Sequence, residues 1–311
     1  MAICIIINRL RTMLIVNSKV TNQDTTDFNS EADFHSGIDT KYLQYIIDKI
    51  SIPRHYFAEH KNNIAVKNWL IEEFQNMGFD AICQGKYDNI LATYNSPLSK
   101  CKIILGAHYD SVPGSPGADD NGSAIAGLLA TAKALKQIPN LPVLFVAFNR
   151  EEDGLLGSSE LANILSHSNQ FTCIHILEMI GYCSNQKGSQ QVPPGLPIKI
   201  SDIGNFIAII SNRNSNRFVK SIIQTGEKFV PTLPIKALKV FFGTEKYFPH
   251  LLRSDHAPFW NKNMPAIMWT DTSEFRNPNY HQPSDTPDTI DYNFLQSVTK
   301  LLVRVIYSQI T

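Results

Sequence analysis

An Ala-rich helical segment between two short apolar runs constrains the fold of this chain more than any other feature. The run "CKIILGAHY" (101–109) comes first, "NGSAIAGLLATAKALKQI" (121–138) has the apolar spacing of a helix, and "LPVLFVAFN" (141–149) follows. Short apolar runs bounded by polar segments are typical of buried strands. The order strand, helix, strand predicts a crossover unit of a parallel sheet.

The alternation of helical and strand-like segments continues along the rest of the chain. Apolar spacing predicts helices at 41–50, 62–79, 157–166, 214–225 and 292–309, and strands at 88–94, 171–180, 205–212, 235–242 and 265–271. Neither an internal repeat nor a linker interrupts this order. The sequence therefore predicts one doubly wound α/β domain over residues 39–311, with a mostly parallel sheet and helices on both faces. Residues 1–38 are expected to be a loosely ordered N-terminal arm, because 21–40 is polar and lacks periodicity.

Composition excludes several classes of protein. Lys and Arg number 28, as do Asp and Glu, so the basic excess of a nucleic-acid binder is missing. The five cysteines are widely spread without a CxxC pair, which argues against a thiolate zinc site or a disulfide framework. Arg9 and Arg11 split the apolar N-terminus into runs too short for a membrane span or an ordinary signal sequence. Because no convincing signal sequence is seen, the sequence favours a cytoplasmic location. It leaves the oligomeric state open.

Polar side chains follow three of the predicted strands at the point where each strand ends. His108 and Asp110 follow the first run, Glu151 and Glu152 the second, and Glu178 ends "CIHILE". Polar groups beside buried strands cost free energy unless they are paired or bind a cation. Ligands of open α/β sheets lie beyond the carboxyl ends of the strands. The sequence therefore predicts a metal site at this edge of the sheet.

The spacing of these residues suggests a separate chemical role for each of them. Asp110 lies two residues after His108, on the same side of an extended chain, where its carboxylate can orient a metal-bound imidazole. An aspartate at 119 or 120 stands before the Ala-rich helix, whose N-terminus favours negative charge. Adjacent Glu151 and Glu152 project in different directions, so one can bind a metal while the other acts as a general base.

Four motifs together resemble a known family. "GAHYDS...PGADDNGSA", "VAFNREEDGLLGSSELA", "LEMIGY" and "NYHQPSDTPDTID" have the order and spacing of the co-catalytic di-zinc exopeptidases, metallopeptidase family twenty-eight. That family includes bacterial leucyl-type aminopeptidases and glutaminyl cyclases. The resemblance covers about Tyr42 to the C-terminus and implies the zinc-exopeptidase fold, two Zn²⁺ ions and peptide substrates.

The resemblance also implies a role for each position of the motifs. His108 and Glu178 would bind one zinc, and Glu152 and His281 the other. Asp120 would bridge the two ions, because the family's bridging aspartate directly precedes the Asn-Gly-Ser-like start of the helix. Glu178 stands where the family more commonly has aspartate.

Three more positions follow from the same motifs. Glu151 would be the general base, and Asp110 would orient His108. Asp119 is then interpreted as a turn residue.

Two other histidines stand near the motifs. His175 lies in a predicted strand and points away from Glu178 by alternation, so we predict that it belongs to the core or to a layer behind the site. The role of His256 in "RSDHAPFW" is left open, because the ligand set is complete without it.

The leading functional hypothesis is a zinc aminopeptidase that hydrolyses the N-terminal peptide bond with a metal-bridging water and Glu151 as the base. A glutaminyl cyclase, usually with one zinc, is the alternative, although "GADDNGSA" and "EEDGLLGS" resemble the peptidase branch. A carboxypeptidase or dipeptidase would need a cation for the substrate carboxylate, and Arg253 or Arg276 could supply it. A catalytically silent binding module on the same fold is the last alternative.

Overall fold

The structure is a computed structural model that describes residues 12–21, 38–168 and 170–311. The strands in these residues are β1 (Met13–Asn17), β2 (Asp80–Gln84), β3 (Asn89–Tyr94), β4 (Ile103–His108), β5 (Leu141–Phe148), β6 (Cys173–Glu178), β7 (Ile207–Ser211), β8 (Ile235–Val240) and β9 (Ala266–Thr270). These nine described strands form one sheet in the order β1-β8-β7-β9-β6-β4-β5-β3-β2.

Helices cover both faces of this sheet, as the sequence predicts. They are α1 (Thr40–Ile50), α2 (His60–Asn76), α3 (Ala124–Leu135), α4 (Leu156–Leu165), α5 (Val219–Phe229), α6 (His256–Asn261) and α7 (Tyr292–Ile310). Side chains along β4 alternate between two cores: Ile103 and Leu105 join the core with α1, α2, α3, α5 and α7, whereas Ile104 joins the core with α4 and α6. Period-two alternation between two buried faces explains why β4 is apolar throughout.

The sheet is mixed rather than mostly parallel. The neighbours β9, β6, β4 and β5 run parallel, and β4, α3 and β5 form the predicted crossover. By contrast, β3 is antiparallel to β5 and β7 is antiparallel to β9. β2, which the sequence prediction missed, pairs with β3 across the turn at residues 85–88, and a connection that short requires an antiparallel pair.

The other edge of the sheet includes part of the segment predicted as a loosely ordered arm. β1 pairs antiparallel with β8, with Met13 opposite Val240 and Asn17 opposite Lys236, so the prediction does not hold for these residues. Residues 1–11 and 22–37 lie outside the described residues, and the boundary between arm and domain stays a prediction. Among the described residues, no helix has both the length and the apolarity to cross a membrane. The cytoplasmic location also stays a prediction.

Candidate metal and catalytic site

The carboxyl ends of three adjacent parallel strands bring the predicted site residues together. His108 ends β4 and lies opposite Phe148, the last residue of β5, so Glu151 emerges beside it. Glu178 ends β6 on the other side of β4, with its Oε2 3.5 Å from His108 Nε2. Glu151 Oε2 lies 3.9 Å from the same nitrogen. The side chain of Glu178 is longer than that of the aspartate that is more common in the family named above, and its carboxylate still lies beside His108.

Asp120 lies between two histidines that are far apart in the sequence. Its Oδ1 is 3.5 Å from His108 Nε2, and its Oδ2 is 3.2 Å from His281 Nε2. Glu152 Oε2 lies 3.3 Å from His281 Nε2. Ligand atoms of His108 come within 4.8 Å of those of Glu151 and Glu178 in one group, and of Asp120 and Glu152 in a second. The structure thus brings all five predicted metal ligands together.

Backbone strain accompanies these residues. Arg150 directly before Glu151, Met179 directly after Glu178 and His281 itself have φ angles of 60°, 48° and 59°. Non-glycine residues seldom adopt this left-handed region, and such conformations cluster at functional sites where the surrounding structure holds them. The strain here lies at the ends of strands and in one loop, where side chains must turn towards a common point.

Asp110 contacts more of the site than its predicted role requires. His108 Nδ1 lies 3.4 Å from Asp110 Oδ1 and 3.2 Å from the main-chain oxygen of the same residue. The Asp110 carboxylate also accepts hydrogen bonds from the backbone N–H groups of Glu151 and Glu152, both at 3.2 Å. One buried carboxylate therefore holds the His108 ring and the turn that carries both glutamates.

In the metal site that the motifs imply, replacing Asp110 with asparagine should lower kcat/KM and metal affinity by about 10- to 100-fold, as is usual for groups that orient metal ligands. Asparagine keeps the size but offers an N–H₂ group where a backbone N–H now finds an acceptor. The measurement is steady-state kinetics with a zinc titration of the metal-free protein. D80N, at an exposed position on β2, is the matched control. Unchanged kinetics and zinc affinity in D110N would contradict this role.

Asp119 is not a simple turn residue, so that interpretation is wrong. It is fully buried, and its Oδ1 accepts from Gly181 N at 3.0 Å while its Oδ2 accepts from Asn277 Nδ2 at 2.7 Å. Asp119 thereby ties the loop after β6 and the loop that carries His281 to the segment containing Asp120. A turn signal in the sequence cannot reveal such contacts, because both partners are distant along the chain.

Sequence reasoning also missed Asp285 and Arg54. The Asp285 carboxylate accepts from the backbone N–H groups of Asp119 at 2.9 Å and Asp120 at 3.0 Å. Buried Arg54 donates to the main-chain oxygens of Tyr109 at 2.6 Å and Gly117 at 2.9 Å. Both side chains therefore hold the segment between β4 and α3 through its backbone. Asp285 lies within the motif "NYHQPSDTPDTID", four residues after His281, but the motif predicted a role only for the histidine, and Arg54 lies in none of the four motifs.

Gly117 is needed for the path of this segment. Its φ is +61°, and a Cβ there would lie 2.3 Å from the main-chain oxygen of Asp120. Asn121, next to Asp120, donates to Leu177 O at 3.0 Å and accepts from Met179 N at 2.8 Å. The segment therefore turns sharply and is fastened to the end of β6 before α3 begins.

Two further histidines and one serine are held in place by hydrogen bonds. His175 donates to Gln309 Oε1 at 2.9 Å and accepts from Trp269 Nε1 at 3.1 Å, which confirms its core position behind the site. His256 donates to Leu251 O at 2.8 Å and is fully buried. Ser254 Oγ donates to Glu178 Oε2 at 2.7 Å and fixes the orientation of that carboxylate.

Crowding of carboxylates shifts the pKa values of the acidic groups. Burial raises the pKa of Glu151 well above its ordinary value, and it raises that of Glu152 to about 7, with the nearby Asp120 charge adding to the effect. Burial also disfavours the ionised form of Asp120, but the neighbouring imidazoles of His108 and His281 outweigh it and lower the pKa. The cluster holds more negative charge than its two imidazoles neutralise.

The two histidines show the complementary shifts. Burial would lower the pKa of His108, but the charges of Glu151 and Glu178 outweigh it and raise the pKa well above its ordinary value. Burial opposes protonation of His281 as well, yet hydrogen bonds to Asp120 and Glu152 raise its pKa to about 10. The raised pKa values keep His108 and His281 protonated. Because a histidine binds a metal ion only in its neutral form, a divalent cation would displace these protons.

A cavity of about 350 Å³ opens onto the cluster. Asp120, Glu151, Glu152, Glu178 and His281 form one part of its lining. Much of the rest comes from strands β7 and β9, with Ile210 and Met268, and from the segments after β8 and β9, with Leu251, Phe275 and Tyr280. The cavity combines an acid-rich end with an apolar wall, which is typical of an enzyme cleft.

Buried carboxylates and two histidines gathered beyond the carboxyl ends of the central strands of an α/β fold are typical of a metallohydrolase. The profile of peptidase family M28 matches residues 89–306. Over 244 residues the chain is 35% identical to Escherichia coli YfbL, covering 73% of this chain and 72% of YfbL. This chain belongs to peptidase family M28, and the predicted class of metallo-exopeptidase is confirmed.

A second relative is named as an enzyme. Aminopeptidase YwaD of Bacillus subtilis is 31% identical over 214 residues, which make up 67% of this chain. The matched region spans 41% of the length of YwaD.

Solved structures share the fold. The LapA aminopeptidase of Legionella pneumophila superposes with a TM-score of 0.67 at 17% identity, over 93% of this chain and 77% of LapA. The zinc aminopeptidase BSAP of Bacillus subtilis gives 0.52 at 28% identity, over 71% of this chain and 49% of BSAP. Glutaminyl cyclase of Porphyromonas gingivalis gives 0.61 at 21% identity, over 89% of this chain and 100% of the cyclase. Aminopeptidases and a cyclase thus share this fold.

Proposed function

We propose that this chain is a zinc-dependent aminopeptidase that hydrolyses the N-terminal peptide bond of its substrate and holds two zinc ions. The observation that carries the proposal is the position of Asp120, whose two carboxylate oxygens face different histidines, His108 and His281. A carboxylate shared in this way suits two neighbouring cations. The choice of aminopeptidase rests on the named activities of YwaD and BSAP, and BSAP is a zinc enzyme.

The donor set suits zinc. His108 Nε2 and Glu152 Oε1 are buried without a hydrogen-bond partner among the described residues, as expected of atoms that coordinate a metal. A set of imidazole nitrogens and carboxylate oxygens without sulfur is compatible with a catalytic zinc. In the proposal His108 and Glu178 would hold one ion, Glu152 and His281 would hold the other, and Asp120 would serve as a ligand to both.

Glu151 is the proposed general base. Glu151 is 8% exposed and lies at the acid-rich end of the cavity, and Asp110 fixes its backbone. Burial raises its pKa, which suits a group that takes up and then releases a proton. Glu151 takes the proton of the attacking water and passes it to the amine nitrogen as the C–N bond breaks. When bound, zinc supplies a Lewis acid for the carbonyl and lowers the pKa of a coordinated water.

A glutaminyl cyclase is the second candidate, because the chain matches the full length of the Porphyromonas gingivalis enzyme in fold. Cyclisation of N-terminal glutamine would use the same acid and base group without hydrolysing an amide. The five proposed ligands, which would suit two ions rather than one, support the peptidase.

The test combines substrate preference with metal content in the purified full chain. Aminoacyl arylamides and glutaminyl peptides are assayed before and after chelation, and again after zinc is restored, while bound zinc is counted by atomic absorption. We expect two zinc ions per chain, hydrolysis of the arylamides, loss of activity with chelator and recovery with zinc. Circular dichroism of the chelated protein shows that the fold persists.

Two results would contradict the proposal. One zinc ion with cyclisation of glutamine peptides and no amide hydrolysis would identify a cyclase. Full arylamidase activity in a protein shown to be free of metal would exclude a metal-dependent mechanism.

A further inference from the structure

A charged group that the catalytic scheme does not use lies on the wall of the same cavity. Arg253 pairs through Nη1 with Glu274 Oε1 and donates through Nη2 to the Tyr280 hydroxyl at 2.8 Å. All three residues line the cavity. Among the described residues that form this lining, Arg253 is the only lysine or arginine.

The guanidinium group stands at a defined distance from the metal ligands, because contacts at both ends tie it to them. The Tyr280 ring stacks on the ring of His281 with centroids 3.7 Å apart and 22° between planes. The next residue after Arg253 is Ser254, which hydrogen-bonds Glu178. Guanidinium and metal ligands are thus separated by little more than a tyrosine side chain, on the order of one to two residues of extended peptide.

Arg276, the other arginine that the sequence suggested for a substrate carboxylate, is used elsewhere. It is 5% exposed, donates from Nε to Gln190 Oε1 at 2.9 Å, and packs 4.5 Å from the centre of the Phe206 ring. It does not line the cavity. The two arginines therefore differ in role: Arg276 is structural, and Arg253 faces the substrate space.

The ion pair with Glu274 leaves Arg253 able to bind a ligand. The side chains of Arg253 and Glu274 are 43% and 29% exposed, and exposed ion pairs contribute little free energy. A guanidinium group has five N–H donors in a fork that matches a carboxylate. A substrate carboxylate can therefore add to the pair or replace Glu274 at low cost.

We propose that Arg253 binds a carboxylate of the peptide substrate, an inference that rests on the proposed aminopeptidase function. The favoured substrates then carry a carboxylate within about two residues of the scissile bond. That carboxylate is either the C-terminus of a di- or tripeptide or the side chain of an acidic N-terminal residue. Tyr280 and Glu274 position the guanidinium for it.

The test compares matched substrates that differ only in one carboxylate. One arm uses leucyl dipeptides with a free C-terminus and their C-terminal amides, and the other uses glutamyl and glutaminyl arylamides. In at least one arm, the wild type should have a kcat/KM for the acid about tenfold or more above that for its neutral partner, as expected for a charge-assisted hydrogen bond. The arm that shows the preference identifies the source of the carboxylate.

Variants assign this preference to Arg253. In R253A the ratio of acid to neutral kcat/KM should fall about tenfold or more, mainly through a higher KM, and R253K should restore part of it. E274Q should raise the ratio, because it removes the competing charge but keeps an acceptor for Nη1. R213A removes an exposed arginine outside the cavity lining and should leave the ratio unchanged.

Equal kcat/KM for acids and neutral partners in both arms would overturn the proposal for Arg253, while continued hydrolysis of leucyl amides would keep the aminopeptidase function. A ratio that is the same in wild type and R253A would also overturn it. A wild type that hydrolyses none of these substrates contradicts both proposals.

Discussion

Glu151→Gln should lower kcat by about 100- to 10,000-fold, the range over which a positioned general base contributes to catalysis. Glutamine keeps the shape of the side chain but cannot accept a proton from the attacking water. Its backbone N–H still donates to Asp110, so the turn should keep its conformation. KM should change little if Glu151 acts on the reacting water rather than on substrate binding.

The measurement is kcat on an aminoacyl arylamide together with the zinc content of the variant. Glu72→Gln, on the exposed face of α2, is the matched control and should behave as the wild type. If E151Q retained wild-type kcat with a normal zinc content, Glu151 could not be the base. If it lost zinc as well as activity, Glu151 would act as a ligand instead.

Asp120→Asn should have the second large effect, on metal content as well as on activity. The two carboxylate oxygens of Asp120 face His108 and His281, and asparagine leaves one oxygen and places an N–H₂ group towards the other histidine. An amide nitrogen does not coordinate zinc, so we expect at most one zinc per chain and a fall in kcat/KM of about 100-fold or more.

Zinc content by atomic absorption and kcat/KM across a zinc titration test this prediction. Asp48→Asn, at an exposed position of α1, removes the same charge away from the cavity and serves as the control. A D120N protein with two zinc ions and normal activity would show that Asp120 does not bridge them. Partial recovery of activity at high zinc would agree with a weakened site.

The sequence predicted the centre of the fold correctly because its signals there are local. β4, α3 and β5 each show their own periodicity, and a helix between two neighbouring strands forces a parallel pair. The polar residues at the strand ends are equally visible, since His108 and Glu178 interrupt apolar runs. The edges of the sheet were harder to predict. β1 (MLIVN) is apolar, but it was assigned to the N-terminal arm because the polar segment 21–40 follows it, and β2 (DAICQ) is short, partly exposed and only weakly apolar.

Local signals failed for residues whose partners are distant along the chain. Asp119 and Asp120 are adjacent and identical in type, yet one fastens two loops and the other faces two histidines. Arg54 looks like an ordinary charged residue between two helices, although it is buried against the loop before α3. Arg253 and Arg276 could not be distinguished before their surroundings were known.

The sequence by itself determined which residue types stand at the ends of the central strands and, through its motifs, the family to which the chain belongs. Only the tertiary structure decided the order and direction of the outer strands, the placement of His281 against Asp120 and Glu152, and the exposure of Arg253 to the cavity. The physical reason is the distance along the chain over which each kind of information acts. Periodicity reports burial over a few residues, whereas distances between side chains from separate strands and loops depend on how the whole sheet packs.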